Sequence, residues 1–183
     1  MRPDHQPLTN FWRPVLVRHG LVNSSFVPPP ELREARMFLR FRRKLVESRS
    51  DDRNRVIKVL EMGNIKVSSV ASDVFGVSGM AMLKALAEGK ATPESMANLA
   101  KGLLRKKLPE LQLALDGRFQ EPHRVLLTIQ LRRLENVDAD LAEVDARIEE
   151  IMKPYEEIRT RLDTIAGVDR LVAAIIIAEI GVD

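Results

Sequence analysis

Residues 134–165 read LENVDADLAEVDARIEEIMKPYEEIRTRLDTI, and the spacing of their apolar side chains decides the fold. Leu134, Leu141, Ile148, Tyr155 and Leu162 recur every seven residues, and Val137, Val144, Ile151, Ile158 and Ile165 follow three positions behind. Both core positions of a heptad therefore persist along the whole stretch, as in a helix packed along one seam. Pro154 is the flaw in this pattern. It removes a backbone hydrogen bond and crowds the preceding turn, so a bend is expected near Met152.

A second long helix is expected from Glu31 to Glu61, a run without Gly or Pro in which Leu32, Leu39, Val46 and Leu60 lie at multiples of seven beside Phe38, Leu45 and Val59. Pro30 suits a first helical turn, and Glu31 and Glu34 complement the positive end of the helix dipole. Residues 1–30 hold six of the chain's ten prolines and read as an irregular leader. Residues 62–120, punctuated by Gly63, Gly76, Gly79, Gly89, Gly102 and Gly117, read as a small helical cap. Within it Thr92-Pro93-Glu94 and Pro109-Glu110 each open a short helix. The expected fold is all-α: two long antiparallel coiled-coil helices, 31–61 and 121–161, with the cap between them. A dimer through the heptads is the alternative. Residues 162–183 form a turn at Gly167 and a helix with Leu171, Ala174, Ile175, Ile176 and Ile177 close together. That helix is apolar nearly all round, which reads as the start of a truncated C-terminal domain.

The 183 residues are 45% hydrophobic and 30% charged, so the chain is not disordered by composition, and its net charge is only +3. Nucleic-acid binding must then come from local placement of charge. No cysteine is present, which removes disulfides, thiolate metal sites and a cysteine nucleophile, and His5, His19 and His123 are scattered. Aromatics are 4%, which disfavours a β-sandwich and a platform of stacked bases. No stretch approaches the roughly 18 apolar residues of a membrane span, so no membrane association and a cytoplasmic location are expected.

From Glu31 to Glu61 ten basic residues face six acidic ones. Arg33, Arg36, Arg40, Arg43 and Lys44 gather on one side of the helix and Lys58 rejoins them, a stripe able to meet phosphates or, equally, a solvated face of Glu/Arg pairs. Arg42, Arg49 and Arg53 fall in the apolar sector. Either they meet nucleic acid there, or they pair with acids of the second helix such as Asp138, Asp140, Glu143, Asp145, Glu149 and Glu150. Lys101, Arg105, Lys106 and Lys107, with Arg118, His123 and Arg124, could extend a positive track around the cap. The candidate nucleic-acid-binding residues are thus Arg33, Arg36, Arg40, Arg43, Lys44, Lys58, Lys106 and Lys107. His123 reads as a helix-start residue rather than a base. Ser68, Ser69 and Ser72 have no partnered histidine, so a hydrolytic triad is not supported. The turn Ile165-Ala166-Gly167-Val168-Asp169 is similar to a phosphate-holding helix-hairpin-helix, except that Asp169 stands where a second glycine is usual. Paired carboxylates for metal-assisted phosphoryl transfer are missing, Asp4 being the one acid among the first thirty residues.

The runs Arg18-His19-Gly20-Leu21-Val22, Ser25-Phe26-Val27-Pro28-Pro29, Glu31-Leu32-Arg33-Glu34, Arg42-Arg43-Lys44-Leu45-Val46 and 65–79, continuing through Leu103–Leu115, Gly117-Arg118-Phe119, 162–168 and 178–183, closely resemble the insertion sequence 110 family of bacterial transposases. The resemblance covers about residues 18–183. It implies a recombinase with an N-terminal RNase-H-like domain bearing an acidic magnesium site, a helical coiled coil, a C-terminal domain supplying a serine nucleophile, and a structured bridge RNA as guide. It also implies DNA and guide RNA as partners and a homo-oligomer through the heptads. This chain looks like the middle of such a protein. Where the family's last catalytic acids would fall, Asn10-Phe11-Trp12-Arg13-Pro14-Val15-Leu16-Val17 has none. The family's serine would lie beyond Asp183, and Ser68, Ser69, Ser72 and Ser78 do not inherit its role. The resemblance thus implies a truncated transposase that keeps a nucleic-acid-binding, dimerising helical module without catalytic residues or a metal of its own. The other class consistent with the sequence is a non-catalytic coiled-coil assembly protein.

Overall fold

The computed structural model describes residues 15, 16, 18, 19 and 28–182, and most of the expected leader, with the acid-free stretch 10–17 apart from Val15 and Leu16, lies outside them. The described residues are helices and connecting turns with no strand, so the fold is all-α. The chain divides into two compact units, Met37–Pro154 on the one hand and Met1–Arg36 with Tyr155–Asp183 on the other.

Helix α1, Pro30–Met62, begins where the triple proline ends, with Glu31 in its first turn. Its end is set by Asn64, which takes a positive φ of 58°, while the Ile65 and Gly63 amides donate back to the Leu60 carbonyl. Gly63 answers to space instead. A Cβ there would lie 2.3 Å from the Phe119 ring, so the glycine lets that ring close over the helix end.

The larger unit holds the rest of α1 and four further helices: α2 Val77–Glu88, α3 Pro93–Ala97, α4 Leu108–Leu115 and α5 Glu121–Met152. The expected openings appear at Thr92, whose Oγ1 accepts from the Ser95 amide at 3.2 Å, and at His123, whose Nδ1 accepts from the Gln120 amide at 3.1 Å. The cap's core, however, is wider than residues 62–120. Leu83, Leu111, Met82 and Ala97 pack with Val56, Val59 and Leu60 of α1 and with Leu127 and Leu131 of α5. The end of one long helix and the start of the other therefore complete the cap.

Ion pairs join α1 to α5, among them Arg42 to Asp145 at 2.5 Å, Arg49 to Asp138 at 2.6 Å and Asp52 to Arg133 at 3.3 Å. Partner numbers fall as α1 numbers rise, the order of two helices running in opposite directions. Arg42 and Arg49 thus pair with the acids of the second helix, and Arg53 instead lies over the Phe75 ring, 5.0 Å from its centre.

The heptad reading of α1 needs one correction, because Val46 is 42% exposed whereas Leu45 is buried. From there the buried file is Leu45, Asp52 and Val59. In this stretch α5 lies on the side of Arg42, Leu45, Arg49, Asp52 and Val56, and Val46 sits about 80° round the helix from their mean direction.

The expected single helix 121–161 is two. Helix α5 stops at Met152, Lys153–Tyr155 form a tighter 3₁₀ turn, and α6 runs from Glu156 to Asp163. Pro154 sits within that turn, where its missing amide and ring are tolerated.

In the smaller unit α6 is followed by α7, Arg170–Ile180. Arg170 grips Glu156 through two nitrogens at 2.8 and 2.9 Å. Arg159, 2% exposed, donates from Nε to the Arg170 carbonyl at 2.9 Å. Ala173, Ala174, Ile177 and Ala178 are buried. Ile175 and Ile180 stay exposed, leaving part of this apolar helix uncovered among the described residues.

Candidate nucleic-acid interface

The eight candidate cations are divided between the two units. Arg33 and Arg36 belong to the smaller unit, where Arg36 is already engaged: its Nε and Nη2 donate to the Ala178 and Glu179 carbonyls at 2.6 and 2.7 Å. These are the orphan carbonyls of the last turn of α7, so the guanidinium caps a helix C-terminus. It also lies 3.4 Å from the Glu179 carboxylate. Arg43 and Lys44 converge on Glu47, each at 3.2 Å. Along α1 the stripe also shares its sector with Asp51 and Glu61, within about 100° of arc. Arg40 is exposed on the same face. Only Arg33 and Lys58 of the α1 candidates are exposed and make no ion pair among the described residues.

Glu47 records this neutralisation. The hydrogen bond from Lys44, then its charge, then the Arg43 contacts hold its carboxyl below the usual glutamate range. Because the folded value is depressed, the contribution of these contacts is present above the ordinary glutamate range and fades as pH falls through the folded value. A carboxyl carbon NMR titration should give Glu47 a midpoint below that of an unperturbed glutamate, and Lys44→Gln should raise it; an ordinary midpoint would remove the pairing.

The cap differs. Lys106 and Lys107 lie at the end of the 3₁₀ turn Gly102–Lys107, with Arg105 beside them and Lys101 just before. All four are exposed, and none makes an ion pair among the described residues; Lys107 reaches only the Val70 carbonyl, at 3.5 Å. Four cations within seven residues, without an acid between them, make a short patch of concentrated positive charge.

Compared with family models, with curated proteins and with solved structures, the chain matches none.

The hairpin at Gly167 is built differently from a phosphate cradle. Gly167 takes φ +85°, while Asp169 accepts from the Val172 amide at 2.8 Å as the N-cap of α7. The Ile165 and Val168 amides donate to the Leu162 and Ile165 carbonyls. The carboxylate holds the place a phosphate would take. Among the described residues no three acidic or histidine side chains converge. No helix among them is long and apolar enough to cross a membrane.

Asp52, which nothing in the sequence marks as functional, is fully buried between α1 and α5. Its Oδ1 takes Arg55 at 2.5 Å and Arg133 at 3.3 Å, and Oδ2 has no hydrogen-bond partner. Its position, seven after Leu45 and seven before Val59, is the one signal that could have found it.

Proposed function

We propose that this chain is the helical nucleic-acid-holding part of a transposase of the kind residues 18–183 resemble, working in the cytoplasm on DNA and a structured guide RNA without chemistry of its own. The observation that carries this reading is the cap turn, whose Lys101, Arg105, Lys106 and Lys107 are exposed and free of acid partners among the described residues. Unpaired cations on an exposed turn release counterions when they meet phosphates, and arginine adds bidentate geometry. Self-association along the long helices belongs to the same reading, supported by exposed Met37, Phe41 and Val46 on α1.

The test is a salt titration of the purified chain with RNA and DNA. Affinity should fall steeply with salt, and Arg105→Gln, Lys106→Gln and Lys107→Gln together should reduce the log–log slope by about 2–3, at roughly 0.7–0.9 for each phosphate no longer neutralised. Arg43→Gln with Lys44→Gln should change it much less, since both are engaged by Glu47. An unchanged slope in the cap variant would sink the reading. The ion pairs Arg42–Asp145 and Arg49–Asp138 favour a second reading, a purely structural helix pair. Absence of binding in low salt would select it.

A further inference from the structure

Beside the basic turn the cap holds an open cleft of about 440 Å³. Such a volume lies within the 300–1,000 Å³ usual for small-ligand sites. Two of its walls are unusual for a surface: Val77 is 73% and Leu103 is 80% exposed. Its polar lining comes from Ser72, Asp73 and Ser78. Asp73 Oδ1 accepts from the Phe75 amide at 3.0 Å, which fixes the carboxylate and leaves Oδ2 as an acceptor. Ser78 Oγ accepts from the Lys101 amide at 2.9 Å, leaving its hydroxyl proton to donate. Lys107 closes one side and begins the patch that continues through Lys106 and Arg105.

We propose that this cleft receives one unstacked base of a single-stranded nucleic acid whose flanking phosphates lie on Lys107, Lys106 and Arg105. A planar base has apolar faces and a polar edge, which Val77 and Leu103 on the one hand and Asp73, Ser72 and Ser78 on the other complement. The cations stand where a backbone entering and leaving the cleft needs neutralising. A chain with so few aromatics lacks a stacking platform, and one aliphatic slot does not require it. A base inside a duplex stays stacked and paired, so the cleft discriminates strandedness, which the cations alone do not. The proposal rests on the nucleic-acid reading above and specifies its ligand.

The test uses the full chain and four probes of equal length, single- and double-stranded, in DNA and in RNA, followed by fluorescence anisotropy at low salt. Two exposed positions are altered separately, Ser72→Phe to fill the cleft and Leu103→Gln to remove an apolar wall without changing the charge. Single strands should bind about tenfold more tightly than duplexes, and either substitution should erase that preference while duplex affinity stays unchanged. A 2-aminopurine in the single strand should change its emission on binding to the parent chain and not to Ser72→Phe. The RNA and DNA arms identify which strand fits better. Equal affinity for single strand and duplex, or a preference that survives both substitutions, overturns the cleft proposal and leaves the function standing. No binding of any probe overturns both.

Discussion

A chain carrying Arg55→Met together with Arg133→Met should lose about 3–5 kcal/mol of stability, the range found when a buried charge is stripped of its partners. Asp52 is wholly inaccessible, and its two cations are its only ion-pair partners among the described residues. Without them the buried carboxylate has no counter-charge, which weakens the packing of α1 on α5. Asp52→Leu should behave in the opposite way. Arg55 and Arg133 are about half exposed and turn to water, while a leucine continues the buried file of Leu45 and Val59. That substitution should cost less than about 1 kcal/mol or raise stability. Urea denaturation of the parent and the two variants decides the matter; equal losses in both variants would show that the ionic node is not what holds this level of the helix pair.

Gly79→Ala should be nearly as damaging, at about 3 kcal/mol. A Cβ on Gly79 would stand 2.0 Å from the Val74 carbonyl oxygen and 2.5 Å from its carbon, and both are backbone atoms. Relief would require moving the loop before α2 or the helix itself. Gly102→Ala is the comparison, because Gly102 has φ +58° and nothing within 4 Å of the added atom. It should cost only the left-handed backbone penalty of roughly 1–2 kcal/mol. If Gly79→Ala proves as mild as Gly102→Ala, the close approach of α2 to Val74 is not a constraint on folding.

The heptads, the triple proline and Pro154 made the long helices and the interruption legible, because each acts through local backbone geometry. The file buried along α1 was not, since it depends on where α5 lies: a period of seven admits both Leu45 and Val46, and only the partner's position chooses between them. The same dependence explains the candidate site. Arg36, Arg43 and Lys44 looked as free as Lys106 and Lys107 until Ala178, Glu179 and Glu47 were placed beside them, and neighbours in space do not show in spacing. Asp52 escaped because an acid in a charged stretch reads as solvated. Asp169 showed the converse: its departure from the hairpin pattern was visible, and the helix it caps supplied the reason.

The wide core of the cap bears on how such a module can be exchanged. Its hydrophobic cluster takes in Val56, Val59 and Leu60 from one long helix and Leu127 and Leu131 from the other. A transplant limited to residues 62–120 would carry the turns and leave two walls behind. A recombination event that moved the cap intact between proteins would have to cross over before Val56 and after Leu131, inside the helices rather than at their ends. The ionic node of Asp52, Arg55 and Arg133 lies just outside that segment, so a crossover at its borders leaves the whole node with the recipient.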